Sequence, residues 1–561
     1  MFERPWLQDN IWSNFLKFNY TYISTRQWPL CLGIIALVLA VSMFFLRKFL
    51  RDKKLYEGFF SDKVYVFDYK KASDWIALLA VIAGIVFTEV YILSLDNSLF
   101  ENYDLMAINT TRTMRYGLVA SFDYIRVIPL GSWYLSSLYA ITQNIIIIKI
   151  FVLFQTMLAA WALSAFFNYI PVARKLWMIA ILLVMPTLLQ TANIIFPERD
   201  MIIALMLGLI FARKYCKTHQ IKWAAAFLLF ANIAFYTKET CIIFYFGIVL
   251  TSLFYNIVNQ KIVMRSFLKP WKIIQIMPLE FLLGLSLLGY TIIFSAMQNG
   301  TNFYLSANTQ TLMQQLKTYH LELILMGLAV GIAIYRLVKF YNEKNNPMFR
   351  SGLLVGAVCT AIMVVAVFKL SPSTPHLAGK SYYMLTSTIF VLAYIFEHLN
   401  NKKLWGILCV LLLLYSIPAD IAFHKQNKGV YYREVAEYMA EHTSPKTVNP
   451  IFILEGPYVT KTLWQWIVET WSTAYRYYFN DRVFVIKSDV HYLDRSIVQK
   501  LRLFNNIPLI YFPLVPQALP VKGDWLIINK ENQTTKAVNM RKEYKDKLVY
   551  ENALFEVYEP K

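Results

Sequence analysis

Residues 145–167 read Ile145-Ile-Ile-Ile-Lys149-Ile-Phe-Val-Leu-Phe-Gln155-Thr-Met-Leu-Ala-Ala-Trp161-Ala-Leu-Ser-Ala-Phe-Phe167, an apolar run with a single charge. A helix rises about 1.5 Å per residue, so such a run reaches across the roughly 30 Å hydrocarbon core of a bilayer. Comparable runs lie at 28–46, 75–95, 176–193, 201–215, 223–237, 241–257, 276–296, 321–339, 351–369, 383–398 and 404–422. Those at 201–215 and 223–237 are short, which fits tilted or partly re-entrant segments. The run at 28–46 begins late, is followed by charges and lacks a small-residue cleavage site, so it reads as a retained helix and not as a cleavable signal.

The composition agrees. Of 561 residues 57% are apolar and 16% charged, against about 45–50% and about 25% in soluble domains. An aromatic content of 16% excludes a disordered chain. The net charge of +20 would fit nucleic acid only on a soluble basic face, and the charge lies elsewhere. The short connections 47–74, 168–175, 212–222, 258–274, 336–350 and 399–403 hold 24 Lys and Arg; the alternate set, 95–132, 193–200, 238–240, 297–320 and 371–382, holds 7. That bias predicts the basic set on the cytoplasmic side and both termini outside. Much of the +20 is therefore a topology signal. The cysteines Cys31, Cys216, Cys241, Cys359 and Cys409 show no zinc or redox spacing.

From about residue 423 the composition changes. Residues 423–561 are charged and hold no run long enough to span a bilayer. Val435–Met439 has a helical pattern, Pro450–Leu454 and Trp525–Ile528 read as short buried strands, Leu548–Tyr558 as a closing strand pair, and Lys461–Phe479 as a helix rich in Trp and Tyr. The expected organisation is an N-terminal segment with its own helix (1–74), a transmembrane domain (75–422) and a small outer α/β domain (423–561).

Ionisable groups near a bilayer are expensive and point to function by default. Three clusters fall on the predicted outer side. The first, in the long connection 95–132, holds Glu101 and Asp104, three apart and so on one helical face, then Arg112, Arg115 and Arg126-Val-Ile-Pro129-Leu-Gly-Ser-Trp133-Tyr134. The second is Phe196-Pro197-Glu198-Arg199-Asp200. The third is Tyr236-Thr237-Lys238-Glu239-Thr240. Salt-bridged turns are the competing reading of the last two. A further stretch, His376 to Tyr383 with Lys380 and Tyr382, places cations and phenols at a helix start, where they either hold a phosphate or act as interfacial anchors. Lys149, near the outer end of its helix, reads as a snorkelling lysine, with contact to a lipid phosphate as the alternative.

These features resemble the GT-C superfamily of membrane glycosyltransferases, which includes the protein O-mannosyltransferases and the aminoarabinose transferases of lipid A. Asp104, Arg112/Arg115 and the Arg126–Tyr134 stretch correspond to the superfamily's first-loop acid, its Arg-rich amphipathic stretch and its Pro before an aromatic helix start. Glu198 or Asp200 corresponds to the second-loop acid, and Lys238-Glu239-Thr240 to a turn of bacterial members. The resemblance implies about eleven core helices plus one extra N-terminal helix, a C-terminal outer domain, a polyprenyl-phosphate-linked sugar donor, and an outer site between membrane and soluble domain. The chain departs from the pattern at Leu105, where the second acid of an adjacent pair is absent. One carboxylate with distant partners is a poor cage for a hard divalent cation, so the residues do not support a metal, though a divalent cation stays open.

The implied chemistry makes Asp104 the general base, with Glu101 on the same face, and Arg126, Lys238, His376 and Lys380 candidates for the donor phosphate; Arg112, Arg115, Glu239 and Tyr382 would support them. Direct attack would invert the anomeric centre. The acceptor would be a surface glycan, a lipid or a protein, and the location a bacterial inner membrane. Trp464, Trp466 and Trp471 are candidates for sugar stacking, with packing as the competing role. The alternatives are a transporter or flippase, against which the absence of repeat symmetry speaks, and a polymerase or ligase of envelope polysaccharide.

Overall fold

The structure is a computed structural model that describes residues 12–13, 15–17, 20, 27–49, 63–94, 137–138, 141–142, 145–193, 198–218, 220–238, 240–258, 269–297, 312–339, 352–368, 381–425, 429–443, 448–454, 483–488, 510–511 and 519–561. The helices are α1 Gln27–Phe49, α2 Ala72–Ser94, α3 Ile145–Phe166, α4 Val172–Val184, α5 Pro186–Asn193, α6 Glu198–Thr218, α7 Ile221–Thr237, α8 Thr240–Val258, α9 Pro270–Ile276, α10 Pro278–Met297, α11 Leu312–Thr318, α12 His320–Lys339, α13 Gly352–Ile362, α14 Leu385–His398 and α15 Lys402–Lys425. Each predicted span is met by a helix or a broken pair of helices. Among the described residues, those at Ala72–Ser94, Ile146–Phe166, His320–Lys339 and Lys402–Ile421 are by themselves long and apolar enough to cross a membrane. The protein is a multi-pass membrane protein.

Two spans are interrupted, each at a proline. Proline has no N–H to donate, and it drives the residue before it out of the helical region. Met185 accordingly turns to φ −75°, ψ 138° before Pro186 and separates α4 from α5. Met277, at φ −125°, ψ 57° before Pro278, separates α9 from α10. The run at 201–215 is the opposite case. Helix α6 covers Glu198–Thr218, because polar residues at both ends extend it beyond its apolar middle.

The core is aromatic where α3, α8 and α14 meet. Phe244 stacks on Phe390 with ring centroids 4.3 Å apart, and Phe167 stands edge-on to Phe390 at 5.8 Å. Helices α8 and α13 cross through glycine: a Cβ on Gly247 would lie 2.5 Å from the Cα of Gly356. Small residues at such a crossing allow the close backbone approach that drives association within a bilayer. Asn232 donates to Ser286 at 2.9 Å across α7 and α10.

Some of the basic charge in the connections has a structural task. Arg213 donates to the carbonyls of Phe166 (2.8 Å) and Ala165 (3.1 Å) and to the Asn168 side chain (2.7 Å). Arg174 donates to the carbonyls of Phe396 (3.2 Å) and Leu399 (3.0 Å). The last carbonyls of α3 and α14 lack helical partners, and a guanidinium supplies both the donors and the charge that the helix dipole favours there.

After α15 come α16 (Gly429–His442) and a sheet of β1 Val448–Leu454, β2 Val483–Ser488, β3 Ile510–Tyr511, β4 Trp525–Asn529, β5 Leu548–Glu551 and β6 Phe555–Tyr558. The order is β3-β2-β1-β4-β6-β5. Strand β1 lies between β2 and β4, parallel to both, and β6 runs antiparallel to β4 and to β5. Ile451, Phe452 and Ile453 are all buried, as a central parallel strand covered on both faces requires. Helix α17 (Thr535–Glu543) closes the domain, its first turn capped by the Thr534 hydroxyl, which accepts from the Ala537 N–H at 3.3 Å. The expected helix over Lys461–Phe479, with Trp464, Trp466 and Trp471, lies outside the described residues.

Candidate functional site

Helices α2, α5, α7 and α15 end, and α3, α6, α8, α12 and α14 begin, at one end of the bundle. Three of the sequence-predicted site residues, Glu198, Asp200 and Lys238, are described there. The first-loop residues Glu101, Asp104, Arg112, Arg115 and Arg126 lie outside the described residues, as do Glu239, His376 and Lys380. Tyr382 belongs to a single 3-10 turn, Ser381–Met384, that leads into α14.

Lys238 joins α7 to α8, and its backbone is pinned on both sides. Its N–H donates to the Ala234 carbonyl at 2.9 Å, closing α7. Its own carbonyl accepts from the Cys241 thiol at 3.1 Å. The side chain runs inward, with Nζ 2.9 Å from Glu198 Oε1 and 5.2 Å from the centroid of the Tyr383 ring. Both partners are nearly inaccessible, Lys238 at 2% and Glu198 at 1% side-chain exposure. Breaking a buried pair from one side strands a charge and costs about 3–5 kcal/mol.

The helical twist of about 100° per residue sends the next two side chains of α6 elsewhere. Arg199 donates to Thr156 on α3 (2.9 Å), to the Val152 carbonyl (3.4 Å) and to Thr191 on α5 (3.4 Å). Asp200 accepts from Gln155 at 2.9 Å. The compact Glu198-Arg199-Asp200 sequence is thus no self-contained turn: Glu198 ties α6 to the α7–α8 junction, Arg199 to α3 and α5, and Asp200 to α3.

Lys149 corrects the snorkelling reading. It is 2% exposed and sits inside the bundle, within electrostatic range of Glu89, as is Arg199. The sequence reading passed over Glu89, and two further carboxylates at this end with it. Glu322, in the first turn of α12, accepts from Thr187 on α5 at 3.0 Å. Asp420, near the end of α15, is 2% exposed. Each is a lone acid near the end of an apolar run, and that was the available signal. Tyr319 and Tyr383 share an apolar cluster with Val364, Val365 and Met384, and the phenol of Tyr415 meets His320 Nε2 at 3.0 Å.

The described buried cations at this end are Lys149, Arg199 and Lys238; the carboxylates are Glu89, Glu198, Asp200, Glu322 and Asp420. Among the described residues no excess of buried positive charge waits for an anion. No group of three His, Cys, Asp or Glu side chains among the described residues is placed to hold a metal ion. What this end offers chemically is a fixed ammonium, Lys238, between the start of α6 and the start of α8, where unpaired N–H groups and helix dipoles favour negative charge.

The chain is similar to two crystal structures of ArnT from Cupriavidus metallidurans, one bound to undecaprenyl phosphate and one in the apo state. Each is 12% identical, and each comparison covers 87% of this chain and 98% of that one, with TM-scores of 0.45 and 0.46. No protein-family model and no curated protein sequence matches the chain.

Proposed function

We propose that the protein is a membrane glycosyltransferase that moves a sugar from a polyprenyl-phosphate-linked donor to an extracytoplasmic acceptor. The observation that carries this reading is Lys238, an ammonium buried at the junction end of an apolar bundle with its backbone pinned on both sides. A polyprenyl phosphate has the matching form, an apolar tail for the helices and one anionic group for the fixed cation. The sequence supplies the rest: the acid and arginines of 95–132 lead out of α2 to the same end, and the 423–561 domain follows the end of α15 there. The Lys and Arg bias of the opposite connections supports placing this end outside, in a bacterial inner membrane. The division into 1–74, 75–422 and 423–561 belongs to the same proposal.

In the proposed reaction the acceptor hydroxyl oxygen attacks the anomeric carbon as its proton passes to Asp104. The bond from that carbon to the phosphate oxygen breaks, and its electron pair leaves with the phosphate. Lys238, with Arg126, His376 and Lys380 as further candidates, stabilises the charge that develops there. Attack from the face opposite the leaving group inverts the centre. A general base contributes about 10²–10⁴-fold.

The test is sugar transfer from a labelled polyprenyl-phosphate sugar by the full chain in proteoliposomes, with the acceptor fraction taken from membranes of cells lacking the gene. Asp104→Asn is expected to fold, bind donor and lose transfer by a factor of about 10² or more. Full activity of that variant refutes the base assignment, and wild-type protein that transfers from no lipid-linked donor refutes the reading. Mass spectrometry of glycans, lipids and proteins with and without the gene identifies the acceptor.

A further inference from the structure

Among the described residues, buried and half-buried carboxylates are held in two ways. In the C-terminal domain, Asp524 takes Lys487 Nζ at 2.6 Å on one oxygen and the Val521 N–H at 3.0 Å on the other. Glu556 takes Arg541 at 2.7 Å and the Tyr558 hydroxyl at 3.1 Å on a single oxygen. These acids are fixed by directional donors, as structural buried charges are. Glu198, like Glu89, is different. Its carboxylate is more deeply buried than that of Glu556, yet neither oxygen meets an aligned hydrogen-bond donor among the described residues. What holds it is the charge of Lys238 at 2.9 Å and the positive end of α6, whose first residue it is.

The other half of the pair is built the opposite way. The Lys238 backbone is held by the Ala234 carbonyl and the Cys241 thiol, and its ammonium also faces the Tyr383 ring. The root of the side chain is therefore held independently of the acid, and the space beside the ammonium keeps its preference for an anion. Among the described residues Lys238 is already neutralised, and the other two buried cations share this end with four more carboxylates. An incoming anion that left Glu198 where it is would share the one ammonium with it, and two anions on a single buried cation repel each other. A phosphodiester carries one negative charge, the same as the carboxylate it would replace.

We infer that Glu198 is a resident counter-anion, seated on Lys238 while the donor is absent and displaced from it by the donor's phosphate. The inference rests on the reading of Lys238 as a donor-phosphate ligand. Glu198 is then a positioning residue: it balances the ammonium's charge in the empty protein and sets the affinity for donor by competing with it. It touches no reacting atom.

The experiment measures binding of undecaprenyl phosphate, with undecaprenol as the uncharged control, to the purified full chain in detergent by tryptophan fluorescence. Wild type is expected to prefer the phosphate. Glu198→Gln removes the competing charge at nearly constant shape; it should melt at a lower temperature without ligand, bind the phosphate at least ten-fold more tightly, and leave undecaprenol binding unchanged. Lys238→Met should lose the preference for phosphate. If wild type prefers the phosphate, Lys238→Met loses that preference, and Glu198→Gln binds no more tightly than wild type, Glu198 is a structural partner and the inference is overturned while the reading of Lys238 stands. If no form distinguishes undecaprenyl phosphate from undecaprenol, the donor reading fails and the inference with it. Should Glu198→Gln not fold, Glu198→Asp decides. It keeps the charge one methylene further from Nζ and is expected to tighten phosphate binding several-fold; equal or weaker binding overturns the inference.

Discussion

The crossing of α8 and α13 yields a prediction whose sign differs between glycines of the same protein. A Cβ on Gly247 would lie 2.5 Å from the Gly356 Cα, 3.0 Å from its N and 3.2 Å from the Val355 carbonyl oxygen. A Cβ on Gly356 would lie 2.8 Å from the Phe244 carbonyl oxygen and 2.9 Å from its ring. Carbon atoms settle at about 3.5–4.0 Å, so Gly247→Ala requires the two backbones to part by roughly 1–1.5 Å, with no flexible side chain to absorb the change. Overpacking of this kind costs about 1–3 kcal/mol. Gly327 and Gly331 on α12 have no atom within 4 Å of the same built Cβ, and alanine there should gain about 0.5–1 kcal/mol from helix propensity. The assay is the apparent melting midpoint in detergent at a fixed scan rate. Gly247→Ala and Gly356→Ala are expected to lower it, Gly327→Ala and Gly331→Ala to hold or raise it. The Gly247/Gly356 double variant should lose less than the sum of the singles, because the first substitution already separates the helices. Separation also disturbs the Phe244–Phe390 stack, so Gly356→Ala is expected to be the more damaging single. A Gly247→Ala protein that melts with wild type, or above it, would refute the crossing.

Two further outcomes follow from guanidinium forks. Arg213→Ala removes the donors that finish α3, leaving its terminal carbonyls unpaired at about 1–3 kcal/mol each; the melting midpoint should fall, and Arg213→Lys should recover only part of it, since an ammonium cannot span three acceptors. Arg541 ties α17 to Glu556 at 2.7 Å and to the carbonyls of Asn532 and Asn529 at 2.8 and 3.0 Å. Arg541→Ala should speed hydrogen exchange in peptides covering 525–558 of the full chain and leave exchange in α3 and α6 unchanged, and uniform acceleration would contradict the domain-local role.

The spans were legible in the sequence because transfer into a bilayer is additive over residues, so a run such as 145–167 announces itself without reference to any other part of the chain. The strands Pro450–Leu454 and Trp525–Ile528 were legible as unbroken apolar runs bounded by polar residues. The breaks at Met185 and Met277 were equally available from the prolines that follow them, but hydropathy averages over such single-residue effects. Lys149 was misread because a lysine near a helix end has the same sequence signature whether it faces lipid or an interior acid. Glu89, Glu322 and Asp420 were passed over since each is a lone charge in an apolar run, with partners contributed by other helices.

The sequence by itself determined that the chain crosses a membrane many times, that its Lys and Arg are gathered in one alternate set of connections, and that a mixed α/β domain follows the last span. Those are properties of residues taken singly or of neighbours along the chain. Only the tertiary structure decided that Glu198 sits on Lys238 while Arg199 and Asp200 turn to α3 and α5, that Arg213 and Arg174 finish helices distant in sequence, and that Gly247 meets Gly356. Each of these is a pair, chosen by which helix faces which, and in a low-dielectric interior a buried charge or a missing side chain is settled by the atom across from it.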